Sequence, residues 1–224
     1  MVQQRAGQLA ERPREAAADG FIEFDGVTKR YQTRHGSTLA LSDISLSVGR
    51  KEFVVLIGQS GCGKTTMLRI LAGLIQPTEG EVRIEGLQLW HGERREDDAL
   101  AKLGLVFQEA NLFPWYTVEA NISLPLRLRG VGKGDRLKRA HELAELVGLS
   151  GFERSYPREL SGGMRQRVSI ARALSYNPEI LLMDEPFGAL DALTREQMRL
   201  DLEALWLSTR KTVVFITHSI DEAV

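Results

Sequence analysis

Residues 58–65 read GQSGCGKT, a Gly-x-x-x-x-Gly-Lys-Thr run placed directly after the apolar stretch Glu52–Ile57 and directly before a stretch of helical periodicity. No other feature of the chain narrows its fold so far. A strand feeding a glycine-rich turn into a helix makes a nest of inward-pointing backbone N–H groups, closed by the positive end of the helix dipole. Gly58, Gly61 and Gly63 leave space for an anion's oxygens where side chains would collide. Lys64 is placed to reach the β- and γ-phosphates of a nucleoside triphosphate, and the Thr65 hydroxyl to ligate Mg²⁺. The expected nucleotide-binding segment comprises Gly58, Gln59, Ser60, Gly61, Cys62, Gly63, Lys64, Thr65 and Thr66. Cys62 fills a variable position of the pattern, where its backbone matters and its sulfur does not.

Around this loop the hydrophobic pattern alternates between strand and helix. Strand-like runs start at Phe21 and Leu39, and Glu52–Ile57 reads as a strand buried on both faces. Met67, Leu71, Leu74 and Ile75 recur at helical spacing, and Glu81–Gly86 and Leu103–Gln108 read as further strands. Between Asn111 and Tyr156 there is no convincing strand, and helices are expected around Val118–Leu128 and Asp135–Val147, with 130–134 as the loop between them. A third helix follows Ser161, then a buried strand at Glu179–Asp184, an amphipathic helix through Met198, Leu202, Leu205 and Trp206, and a last strand at Thr212–Thr217. Strands alternating with helices imply a largely parallel α/β sheet. Residues 111–175 form a helical insertion in it, and residues 1–20, polar and rich in Ala, Arg and Glu, read as a flexible tail ahead of the domain at 21–224.

Composition removes several function classes. Twenty-nine Lys and Arg against 30 Asp and Glu leave a net charge of −1, which argues against a dedicated nucleic-acid binder. Cys62 is the only cysteine, so the chain has no internal disulfide and no thiolate metal cage. No apolar run approaches the roughly 18 residues of a membrane span.

Residues 180–185 read ILLMDE, an apolar strand ending in two carboxylates at the edge of the sheet where the phosphate loop lies. Neighbouring strand residues point to opposite faces, so the two acids take different tasks. Asp184 is expected to hold the Mg²⁺ that Thr65 also contacts, and Glu185 to act as general base on an attacking water. Farther up the chain, Ser161, Gly162 and Gly163 open a helix with a hydroxyl and bare backbone donors, a second anion site. Two anion sites beside a single phosphate loop suggest a subunit that completes its neighbour's site.

The run LSGGMRQRVSIARAL, with LLMDEPFGALD after it, resembles the signature region of ATP-binding cassette (ABC) transporter ATPases, and the resemblance extends from Phe21 to Val224. It implies a P-loop NTPase core, mainly a parallel sheet with helices on both faces, with an N-terminal antiparallel β subdomain and an inserted α-helical subdomain. It also implies ATP and Mg²⁺ as ligands, and two cassettes packed head to tail with each signature closing over the other's ATP. By position, Tyr31 matches the aromatic that stacks on adenine, and Gln108 the glutamine that senses Mg²⁺ or the water. Asp191 matches the loop crossing the dimer interface, and His218 the histidine that joins Glu185 and Lys64 at the γ-phosphate.

Within the family, NLFPWYTVEANISLPL and YPRELSGGMRQRVSIARAL are most similar to bacterial importers of nitrate, sulfonate, taurine and related solutes. The partners implied are a second ATPase subunit, separate integral-membrane permease subunits and, indirectly, a periplasmic solute-binding protein, with the ATPase held peripherally on the cytoplasmic face of the inner membrane. Phe113, Pro114, Trp115 and Tyr116 read either as core of the helical insertion or as a docking surface for a permease helix. The alternative within the family is the ATPase of an exporter or of a lipid or cell-division complex, and the segment before LSGG, YPREL, is importer-like and lacks an acidic exporter-type element. A soluble DNA-repair ATPase on the same head would need a long coiled coil, and the 97 positions from Lys64 to Ser161 hold no sustained heptads. Met164 stands where the family's signature most often has Gln. The chain ends six residues after His218, where cassettes usually continue, so a truncated C-terminus is expected.

Overall fold

The computed structural model describes residues 20–33, 36–188, 190–219 and 222, so the tail expected at the N-terminus lies almost wholly outside the described residues. In chain order the elements are β1 (Ile22–Thr33), β2 (Gly36–Val48), β3 (Phe53–Ile57), α1 (Lys64–Leu71), β4 (Glu79–Ile84), β5 (Leu87–Gln88), β6 (Trp90–His91), β7 (Arg94–Arg95), α2 (Asp97–Leu100) and β8 (Leu103–Val106). There follow α3 (Val118–Leu128), α4 (Lys133–Leu146), a 3₁₀ turn at Pro157–Glu159, α5 (Gly162–Leu174), β9 (Ile180–Asp184), α6 (Ala192–Thr209) and β10 (Thr212–Thr217).

Two main sheets result. One is antiparallel in the order β2-β1-β4-β5, and the other is parallel in the order β3-β10-β9-β8. Alternation along β9 and β10 feeds two separate cores. Leu181, Met183, Val213 and Phe215 face α3, α4, α5 and α6 through Val118, Ile122, Leu143, Val168 and Met198. Ile180, Leu182, Val214 and Ile216 face α1 and the antiparallel sheet through Leu68, Leu71, Ile22, Phe24 and Ile84. The parallel sheet is therefore sandwiched, and its two central strands are apolar except at their ends, Asp184, Thr212 and Thr217, because both faces are covered.

The parallel register sets up the site. Ile216 pairs with Asp184 and Thr217 with Ile57, so β3, β9 and β10 end level with one another. Gly58, Glu185 and His218 each follow directly from one of those ends. Two sequence expectations need correction. The run at Glu52–Ile57 is not buried on both faces, because β3 lies at the edge of the described sheet and its residues are half-buried, with Ile57 exposed. The helical spacing that included Leu74 breaks at Leu71, where Gly73, with φ +67°, turns the chain out of α1 and leaves Leu74 exposed. None of the described helices is long and apolar enough to cross a membrane.

Candidate functional site

The loop between β3 and α1 is shaped by its glycines. Gly61 and Gly63 take φ of +81° and +102°, a conformation that side chains rarely adopt. Gly63 is also pressed against β2, since a Cβ there would lie 2.5 Å from the Ala40 carbonyl oxygen and 2.8 Å from Leu41 Cδ2. No side chain caps α1 and no acid occupies its first turn, so its leading N–H groups and positive dipole end face the loop. Lys64 bends back over the turn, donating from Nζ to the carbonyl oxygens of Gly58 at 2.6 Å and Gln59 at 2.9 Å, with Cys62 Sγ at 3.7 Å.

Gly63→Ala is expected to destabilise the fold by about 2–4 kcal/mol, from backbone strain plus the clash with β2. Gly162→Ala is the control, because its Cβ would make an ordinary contact 3.5 Å from Leu190 Cδ2. Urea unfolding of the two variants checks the difference, and equal stabilities would contradict the close approach.

Across the sheet edge, Thr65 Oγ1 donates to Asp184 Oδ1 at 3.0 Å. Burial pushes the Asp184 carboxyl above the ordinary carboxylate range, and the Thr65 hydroxyl works against that shift. A hydroxyl beside a carboxylate, both hard oxygen donors, fits a Mg²⁺ that takes only one or two protein ligands and completes its shell with phosphate oxygens and water. None of the described acids, histidines and cysteines group into a cage of three or more that could hold a metal unaided.

Glu185 stands apart from Asp184 for a reason other than strand alternation. The strand ends at Asp184, and Glu185 turns left-handed with φ +47°, its N–H donating to the Ile216 carbonyl at 3.0 Å. That turn carries its carboxylate toward β10, where Oε2 lies 3.3 Å from His218 Nδ1. Two pairs, Thr65 with Asp184 and Glu185 with His218, thus stand at the level ends of β3, β9 and β10. Tyr31, on β1, is exposed, with the Lys29 ammonium 5.4 Å from its ring centroid. Gln108 lies just past β8 and is exposed, its Nε2 3.1 Å from where a Cβ on Gly188 would sit.

Ser161, Gly162, Gly163 and Asp191 form a second group. Ser161 Oγ caps α5 by accepting from Met164 N at 3.2 Å, and Asp191 caps α6 by accepting from the Thr194 N–H at 3.0 Å and hydroxyl at 2.7 Å. Gly163 has a packing role as well, because a Cβ there would meet Thr194 Cγ2 at 2.5 Å. Leu160 and Gly163 are buried, whereas Ser161 and Gly162 are exposed and open to another molecule. The aromatic run is also at the surface. Trp115 is 66% exposed and its ring lies 5.6 Å from that of Phe113, while buried Asn121 fixes the loop by donating to the Phe113, Tyr116 and Thr117 carbonyls and accepting from the Phe113 N–H. Asn121, Thr194, Gln166 and Arg172 are not legible in the sequence, because no motif or periodicity marks the carbonyl or side chain each one meets.

A phosphate loop joined to a strand-end carboxylate, with a second acid and a histidine beside it, defines a P-loop ATPase. Comparison with known proteins agrees. The ABC transporter family model matches residues 41–188. A taurine import ATP-binding protein of Rhizobium johnstonii is 47% identical over 203 residues, covering 90% of this chain and 75% of its own length. An aliphatic sulfonates import ATP-binding protein of Bacillus cereus is 44% identical over 203 residues, covering 91% and 77%. Among solved structures, a bacterial ABC transporter cassette in dimeric form superposes with a TM-score of 0.80 at 40% identity, covering 90% of each chain. A dimeric post-hydrolysis cassette bound to ADP and Pi gives 0.78 at 40% identity and the same coverage. The chain belongs to the ABC transporter family and is an ATPase of that class.

Proposed function

We propose that this chain is the ATP-hydrolysing subunit of a bacterial importer for taurine, sulfonates, nitrate or similar small solutes. The observation that carries the catalytic part is the 3.0 Å contact from Thr65 to Asp184, which joins the phosphate loop to the acid strand. In this reading the amides of 58–66 and the Lys64 ammonium bind the triphosphate, and Tyr31 stacks on adenine. Thr65 and Asp184, with Gln108, hold Mg²⁺, which when bound neutralises charge on the β- and γ-phosphates. Glu185 takes a proton from water as the water's oxygen bonds to the γ-phosphorus and the bond to the ADP oxygen breaks. His218 orients the Glu185 carboxylate and reaches the γ-phosphate.

Ser161, Gly162, Gly163 and Asp191 act on a second copy, the exposed Ser161 turn covering the nucleotide held by its partner. ATP favours this closed dimer, and the difference in its affinity for closed and open states moves the permease subunits. A periplasmic solute-binding protein delivers the solute on the far side, and the ATPase works at the cytoplasmic face of the inner membrane. The import-type relatives support the solute class. The exposed Phe113 and Trp115, with half-buried Tyr116 beside them, support docking on a permease helix, since exposed aromatics are frequent interface anchors.

Proteoliposomes that combine this chain with the permease and the solute-binding protein encoded nearest to it test the reading. Added ATP is expected to drive uptake of taurine or an alkanesulfonate, and Trp115→Ala to lower that uptake about tenfold or more. The exposed ring predicts a small stability change, with Tm moving by no more than about 2 °C. Undiminished uptake by the variant would overturn the docking assignment, and failure of ATP to drive uptake of any of these solutes would overturn the solute class.

A further inference from the structure

We propose that Gln166 and Arg172 are positioning residues that fasten the loop bearing Gln108 to α5, so that this loop and the Ser161 turn move as one body. The contacts bracket Gln108 on both sides. Gln166, 3% exposed on α5, donates from Nε2 to the Phe107 carbonyl at 3.0 Å. Arg172, six residues farther along the same helix, donates to the Ala110 and Asn111 carbonyls, both at 2.8 Å. The two side chains leave α5 about 9 Å apart along its axis, enough to span the loop. Asn111 turns left-handed with φ +46°, at the place the guanidinium holds.

The choice of residues is informative. Partial burial lowers the Arg172 pKa, and among the described residues its partners are carbonyl oxygens and no carboxylate. Arg172 is half-buried, and a partly desolvated cation held by neutral carbonyls is a costly arrangement where the only need is packing. A planar fork, however, reaches two neighbouring carbonyls at fixed spacing, which an ammonium does not. The Gln108 side chain makes no hydrogen bond among the described residues, and Gly188 leaves room beside its amide. Its backbone is held and its amide is free to engage a ligand.

At the other end of α5, Ser161 is tied to the helix through Met164 N. A shift of Gln108 toward its own nucleotide therefore carries the Ser161 turn with it. This rests on the functional reading above, in which Gln108 and Ser161 serve different nucleotides. The clamp links the site a subunit owns to the site it completes.

A double-mutant cycle on phosphate release, paired with hydrogen exchange over residues 107–112, tests the clamp. Gln166→Met keeps the shape and removes the donor. It is expected to lower turnover about tenfold with ATP affinity held within about threefold, and to raise exchange in 107–112 about tenfold. In a Gln108→Ala background the same change is expected to cause no further loss. Additive losses, or unchanged exchange, would overturn the proposal. If Gln166→Met does not fold, Arg172→Lys is measured in both arms with the same criteria. A wild-type chain without ATPase activity would count against the catalytic reading, and the exchange measurement would still decide the clamp.

Discussion

Glu185→Gln is expected to reduce ATP turnover by roughly 10²–10⁴-fold while leaving nucleotide binding intact, the loss typical of a missing general base. The substitution keeps the size of the side chain and a hydrogen-bonding end near His218 Nδ1, which lies 3.3 Å from the carboxylate in the native protein. The left-handed backbone at position 185 is held by the N–H bond to Ile216 and is as open to Gln as to Glu, so little stability is lost. Glu185 is also one of the charges that raise the neighbouring Asp184, and its neutralisation leaves Asp184 easier to ionise and a better cation ligand. Phosphate release under saturating Mg·ATP, with a parallel binding titration, checks both halves. Turnover near wild type would remove Glu185 from its role.

The second large effect is expected at Lys64. Lys64→Ala removes the ammonium meant for the β- and γ-phosphates, and with it the bonds to the Gly58 and Gln59 carbonyls that brace the loop. Loss of one charge-assisted hydrogen bond corresponds to about 1.5–3 kcal/mol, so ATP affinity is expected to fall on the order of 100-fold. The fold is expected to survive, because α1 is anchored by Met67, Leu68, Ile70 and Leu71 and not by Lys64. Calorimetric titration with ATP reads the change directly. An unchanged affinity would contradict the assignment of the loop.

The parts of the site that were legible in the sequence are those set by local spacing. The phosphate loop is written in eight consecutive residues. The acids at 184 and 185 are marked by the apolar strand before them. Other features are written across the fold. The Gln166 bond to Phe107 spans 59 positions, and Gly163 needs its small size because Thr194 arrives from a different helix. The hairpin of β6 and β7 has two-residue strands, and α2 has four residues, too short for any periodicity to show. The half-burial of β3 depends on its place in the sheet order, which a run of apolar residues does not state. The separation of Glu185 from Asp184 is not written in the strand pattern, since a left-handed turn and not the strand pleat sets it.

Sedimentation velocity of the Glu185→Gln protein, with and without Mg·ATP, tests most directly whether one copy's Ser161 turn closes over the other's nucleotide. The account predicts a monomer that becomes a dimer when Mg·ATP is added, and no dimer when Ser161→Glu is introduced as well, because a carboxylate then faces the triphosphate. A Glu185→Gln protein that binds ATP and stays monomeric at saturation, or a dimer indifferent to Ser161→Glu, would contradict it.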